Sequence, residues 1–330
     1  MYKKISPQGI KNAGLQIVKP GFKAVFFLLM VMIPASLAVQ ILETGGVLYY
    51  IAHLMNPLMN QFDLPGEAAL VVISAVFLNV YSAIGVIHTL DLSIREITIL
   101  GTICLIAHNF FVECTVMKRI GSSLIKIVLL RIFCAFAAGF VLHLLLPDSF
   151  GEPKETPPIP AVQSEPEPIG FDLQQLVHDL IRWGIDTGLL SLRITAIVFG
   201  ILFVQKLLDE MGIIKKLGSL TSPLMTILGL SPNMGYFWLI VNMVGVSYGS
   251  AILSEEIRLG SASKSEIDLL NHHAAISHAQ IEDTLLFVSL GVPYLWIALP
   301  RFIMAVIVVW LERGRQALFR RSFRVNVESG

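Results

Sequence analysis

Two short stretches hold the side chains with the widest chemical range. His108 and Asn109 are followed about one turn later by Glu113 and Cys114. His278 and Gln280 are followed at once by Glu282 and Asp283. An imidazole beside a carboxylate can pass a proton, hold a cation or hydrogen-bond a polar solute. Both stretches lie in apolar surroundings, where an ionisable side chain is expensive and faces either a partner or a cavity. Two readings follow. Either His108 bonds Glu113 and His278 bonds Asp283, capping backbone groups freed at a break, or both sets together surround a polar solute or ion. In the second case half-helix N-termini add positive dipole ends to the site. Arg131 and Arg301 lie inside apolar segments, either as counter-ions to Glu113 and Asp283 or as side chains snorkelling toward water.

Other candidates are weaker. Asn79 and Asn242 each sit in a long apolar run, lining a polar groove or serving close helix packing together with the small residues Gly245, Ser247, Gly249 and Ser250. His272 and His273 are adjacent, so on a helix they diverge and chelate poorly. Cys104, Cys114 and Cys134 lie within apolar segments and suggest no disulfide framework. The sequence assigns no metal site and no cofactor. It contains no G-x-x-x-x-G-K-[ST] loop, no G-x-S-x-G elbow and no H-E-x-x-H helix, so nothing in it points to an enzyme.

The elements that must position these residues are membrane helices. Of the 330 residues, 55% are hydrophobic and only 15% charged, against about 45–50% and 25% in soluble proteins. Too few polar residues remain to cover a water-soluble surface. Lys+Arg and Asp+Glu both number 24, so no basic field for nucleic acid exists. The runs 24–42, 68–90 and 233–254 carry no Asp, Glu, Lys or Arg and reach the roughly 20 residues of a span. The segments 122–146, 188–208 and 292–311 do so if Arg131, Arg193 and Arg301 are admitted, with Lys126 and Lys206 near the ends of the first two.

Charge then orients the chain. Lys3, Lys4, Lys11, Lys19 and Lys23 put the N-terminus in the cytoplasm. Glu43, Asp63 and Glu67 put 43–67 outside. Lys118, Arg119 and Lys126 are inside, the Pro- and Glu-rich segment 147–170 is an outside linker, and Arg313, Arg315, Arg320, Arg321 and Arg324 put the C-terminus inside. If 68–90 crosses, 96–118 cannot cross as well. The expectation is therefore a re-entrant hairpin over 96–118, tolerated where protein or water surrounds the break.

The chain also repeats itself. Glu96, Ile97, Ile106, His108, Glu113, Gly121 and Arg131 match Glu266, Ile267, Ile276, His278, Asp283, Gly291 and Arg301 at one constant offset. Pro57-Leu58-Met59 matches Pro223-Leu224-Met225, and Tyr81-Ser82-Ala83-Ile84 matches Tyr248-Gly249-Ser250-Ala251-Ile252. Each half should hold three transmembrane helices, a re-entrant hairpin (96–118 and 266–290) and an interfacial amphipathic lead-in, such as Leu173, Leu176, Val177, Leu180 and Ile181. Three crossings is an odd number, so the second half is inserted upside down. The expected architecture is an all-α membrane protein: a first repeat over 1–146, an outside linker over 147–170, and a second repeat with a basic tail over 171–330. Inverted repeats with broken helices are built around a site near the bilayer midplane.

The stretches Ala107-His108-Asn109-Phe110-Phe111-Val112-Glu113 and Ser277-His278-Ala279-Gln280-Ile281-Glu282-Asp283-Thr284-Leu285-Leu286-Phe287 resemble the bacterial nucleoside recognition, or gate-domain, membrane proteins. That group is related to the spore maturation proteins A and B and to the membrane gate domain of the ferrous iron transporter B. The resemblance spans about 20–145 and 188–312, with no cytosolic G-domain. It implies a multi-pass protein of the bacterial inner membrane that binds a small polar, nucleoside-like solute, with or without a coupling ion, and leaves homo-oligomers open. On this expectation His108, Asn109, Glu113, His278, Gln280, Glu282, Asp283, Asn79 and Asn242 line the site and Arg131 and Arg301 balance its charge. A non-transporting scaffold or receptor is the rival from another class. A divalent-metal permease using His108, Glu113, His278 and Asp283 is the third reading, and it requires their nitrogens and oxygens to converge on one point.

Overall fold

The computed structural model of the chain describes residues 7–45, 47–151, 173–246 and 263–328. Every regular element among them is helical. The first half holds α1 (Pro7–Thr44), α2 (Val47–Met59), α3 (Ala68–Phe77), α4 (Val80–Ile87), α5 (Ile94–Ala107), α6 (Phe110–Arg119) and α7 (Leu124–Leu145). The second holds α8 (Leu173–Glu210), α9 (Ile213–Leu220), α10 (Ser222–Ile227), α11 (Gly235–Val244), α12 (Lys264–Ile276), α13 (Glu282–Val288) and α14 (Tyr294–Glu328). Five segments are long and apolar enough to cross a membrane: 14–42, 94–119, 124–145, 176–208 and 294–318. This is a membrane protein.

The segment expected to fold back on itself does not do so. Arg95, at the start of α5, donates to the Leu146 carbonyl at the end of α7 (3.2 Å), and Arg131, mid-way along α7, donates to the Ile106 carbonyl at the end of α5 (2.7 Å). The 22 residues of α7 are about 33 Å long at 1.5 Å per residue, so α6 ends that far from where α5 begins. A hairpin would return α6 to the start of α5. The 14 residues of α5 and 10 of α6 cover the distance only if laid end to end. The segment 94–119 is one span broken at His108 and Asn109. The second half repeats the correction for 266–290: Ser265 at the start of α12 donates to Gln316 far along α14, and Arg301 near its start donates to the His278 carbonyl.

The chain folds back at 68–87 instead, where a full span was expected. There α3 and α4 pack against each other along their lengths. Asn79 makes the turn: its extended backbone breaks the helix, and its side chain accepts from the Ser82 amide (2.9 Å) and hydroxyl (3.1 Å) as the N-cap of α4. The tip reaches the break in the long helix, where the Ala75 carbonyl accepts from the Asn109 amide (2.9 Å). In the second half Val241 of α11 accepts from the Ala279 amide in the same way. The continuation of that arm, with the Tyr248–Ile252 match and Ser247, Gly249 and Ser250, lies outside the described residues, as does most of the 147–170 linker.

The lead-in helix of the second half is also not separate. Leu173 to Ile181 are the first turns of the 38-residue α8. The two broken helices start with identical capping boxes, Ser93 with Glu96 and Ser263 with Glu266, and run in opposite senses. Asn271 on α12 donates to Ser122 and to the Met117 carbonyl at the end of α6, while Phe150, just past α7, meets Trp296 at the start of α14. Likewise Trp183 early in α8 bonds Ser36 late in α1 (2.9 Å).

Candidate functional site

At each break the helix loses its intrahelical partners for the terminal carbonyls, and a buried arginine supplies them. Arg131 Nε donates to Ile106 O (2.7 Å) and its Nη2 to His108 O (2.8 Å); Arg301 Nη2 donates to His278 O (2.9 Å). Both guanidinium groups are wholly buried, so neither snorkels.

With the carbonyls satisfied, the imidazoles turn toward each other. His108 Nε2 lies 3.3 Å from His278 Nε2. Glu113 Oε1 is 3.3 Å from the first and 3.1 Å from the second, and Asp283 Oδ2 is 3.7 Å from His108 Nε2. All four residues are buried. The partners are crossed: Glu113 serves both histidines, and Asp283 faces His108 from the other half rather than its own His278. Arg131 Nη2 balances Glu113 in a charge contact of 2.8 Å. The expected Arg301–Asp283 pair does not form. Arg301 instead reaches Thr284 Oγ1 (3.4 Å) and the His278 carbonyl, and Asp283 Oδ2 has no hydrogen-bond donor.

The remaining candidates stand around this centre. Gln280 ties the second break to α14 by donating to Ala298 O (2.6 Å) and accepting from Ser277. Glu282 accepts from Tyr81 of α4 (3.0 Å), a contact between halves. Asn242 donates to Trp238 O within its own helix (2.9 Å), and Asn79 caps α4. Asn109 contributes its left-handed backbone (φ 53°) and no capping bond. Tyr81 and Thr284 were quoted in the sequence motifs without a role; their contacts arise from the packing of α4 and α14 against the second break. A cavity of about 560 Å³ is lined by residues such as Ile197, Gly200, Gln205, Met243, Ile281 and Leu285, and by none of the four central groups.

Ala279 occupies the left-handed region (φ 43°) that asparagine fills in the first half, a conformation costing about 1–2 kcal/mol for a residue with a Cβ. Ala279→Gly is therefore expected to stabilise the protein by about 1 kcal/mol, read as a raised unfolding midpoint in detergent.

The imidazole tautomers decide the chemistry. His108 Nδ1 faces Leu105 O (3.2 Å) and Cys104 O (3.3 Å), and His278 Nδ1 faces Ala274 O (2.7 Å). A carbonyl only accepts, so both Nδ1 atoms carry the proton. In the neutral rings both Nε2 atoms then present lone pairs, to each other and to a carboxylate. Nitrogen and oxygen acceptors at 3.1–3.3 Å repel unless a positive species, either a proton on one Nε2 or a metal ion, lies among them. Bonds of about 2.0–2.1 Å to a tetrahedral ion place its ligands about 3.3 Å apart, which is the spacing seen. A backbone carbonyl on the far ring nitrogen is the usual second partner of a metal-binding histidine.

The chain is 28% identical over 299 residues, 91% of its length and 93% of the relative's, to the uncharacterized membrane protein YvoD of Bacillus subtilis (strain 168). No family model and no solved structure matches it.

Proposed function

We propose that this protein is a membrane permease built from two inverted repeats, and that it carries a divalent first-row transition-metal ion through the junction of its two broken helices. The observation that carries this reading is the convergence of His108 Nε2, His278 Nε2 and Glu113 Oε1 within 3.3 Å of one another, with Asp283 Oδ2 at 3.7 Å. Two imidazoles and one carboxylate, with Asp283 beside His108, form a borderline set suited to Zn²⁺, Fe²⁺ or Mn²⁺. A nucleoside-like solute needs room between the breaks, and in this conformation those separations leave space for an ion alone.

With α3–α4 as the re-entrant element, the first half crosses the membrane three times. This arrangement supports both termini, and the turn at 118–126, on the cytoplasmic side, with 147–170 outside. The second broken span falls short of ordinary apolarity because Asp268, Asn271, His272 and His273 lie on α12. Buried polar groups in a spanning segment line a pathway more often than they serve packing.

The test is metal binding and uptake. Purified protein titrated with Co²⁺ should show the d–d bands of a tetrahedral N/O site, and vesicles containing it should accumulate the ion. His278→Ala should weaken binding by more than the roughly 10–100-fold that loss of an outer partner causes, with the protein still monodisperse. Equal Co²⁺ affinity in that variant, or transport of nucleosides with no metal bound, would refute the reading.

A further inference from the structure

We infer that the chain holds a second divalent-cation site on the side of the central junction where α7 and α12 begin, built from Asp268 and His272 of α12 and Glu312 of α14. The inference rests on the permease reading, since its role there is to receive the ion between the centre and the cytoplasm.

His272 is 1% exposed. Its Nδ1 lies 2.6 Å from the Asp268 carbonyl, which fixes the proton on that nitrogen, and its Nε2 has no hydrogen-bond partner. That unpartnered nitrogen lies 3.9 Å from Glu312 Oε2. One ligand atom from each of Asp268, His272 and Glu312 can be chosen so that all lie within 4.8 Å of one another. The carboxylates are held in place: Asp268 accepts from Ser122 (2.6 Å) and Gln316 (3.1 Å), and Glu312 accepts from Arg315 and Gln316. In this conformation the Lys126 ammonium sits 2.6 Å from Glu312 Oε2. With Arg315, which pairs with both Glu312 oxygens, it supplies positive charge that an arriving ion would partly replace. Its side chain is 33% exposed, so it can swing into water when an ion displaces it.

The repeat does not account for this cluster. At the offset that carries His108 onto His278, the partners of Asp268, Asn271, His272 and His273 are Thr98, Gly101, Thr102 and Ile103, and that of Glu312 is Leu142. None is ionisable, and on that side Gly101 packs against Phe287 and Ile297. At these matched positions only the second half is ionisable. His272 is six residues before His278, about 9 Å of helix, a single step for an ion leaving the centre. Two carboxylates and one imidazole make a harder set than the centre, suited to the same divalent ions with weaker hold.

The test uses the full chain in detergent with Mn²⁺ alone as the probe, counted by equilibrium dialysis and mass spectrometry. The wild type should bind two ions, His272→Ala one, His278→Ala one and the double variant none. Lys126→Met should bind the second ion at least about tenfold more tightly, the low end of what a close charge pair contributes, a gain that misfolding cannot mimic. One ion in the wild type, lost in His278→Ala and kept in His272→Ala, would overturn the second site and leave the central one standing. One ion lost only in His272→Ala would support the second site and overturn the central reading. No ion at all would overturn both, and unchanged or weaker binding in Lys126→Met would overturn the second site.

Discussion

Arg131→Met is expected to destabilise the protein by about 3–5 kcal/mol, because it leaves the buried Glu113 carboxylate without its counter-charge. The guanidinium is wholly buried and serves Glu113, Ile106 O, His108 O and Cys114 Sγ. Glu113→Gln alone strands the opposite charge and should also be costly. The double variant should recover about 2–3 kcal/mol relative to the sum of the singles, leaving a residual loss for the two carbonyls of the broken helix. The matching cycle in the second half is an internal control. Arg301 holds a carbonyl and Thr284 and makes no direct ion pair with Asp283, so Arg301→Met and Asp283→Asn should couple less strongly than the first pair. Unfolding in mixed detergent micelles measures all six variants. Additivity in the first cycle would mean that Arg131 acts only as a cap for the broken backbone.

The central groups were legible because ionisable residues are rare in apolar helices and these recur at one offset. His108, Glu113, His278, Asp283 and Arg131 come together as a set. Their pairing was not legible. Sequence proximity joins Asp283 to His278, yet the opposed sense of the two halves brings it to His108. The break at each His was also readable in outline, but not its direction. Whether a chain turns back after a break depends on backbone torsions of a few residues and on what packs beside it, and apolar composition is the same either way. Charge asymmetry required one non-crossing segment between 68 and 118 without saying which. The deciding features are local: Asn79, itself extended, turns the chain and caps α4, whereas His108 and Asn109 only jog the helix. Asp268 and His272 escaped notice because His272 was weighed against its neighbour His273, when its geometric partner lies four residues back. His273 indeed points elsewhere, accepting from Trp238 (3.3 Å).

Exchange of the hairpin and the broken span has an all-or-none consequence for the 88–93 loop. If α3–α4 re-enters, Asp91 faces the same side as the 147–170 linker; if 68–90 crossed, it would face the cytoplasm. The native cysteines Cys104, Cys114 and Cys134 are buried, so single added cysteines report against a quiet background. Asp91 and Arg119 are both exposed, at opposite ends of the broken span. An impermeant maleimide applied to intact cells is expected to label Asp91→Cys and a cysteine at position 160. It should spare Arg119→Cys until the membrane is opened. A spanning 94–119 segment requires that 91 and 119 differ, and a hairpin over 96–118 requires that they agree. Labelling of both, or of neither, would return the re-entrant element to 96–118. Labelling of Arg119→Cys alone would keep the broken span and invert the whole protein, placing the Asp268–His272–Glu312 cluster at the outer mouth of the pathway instead of the inner one.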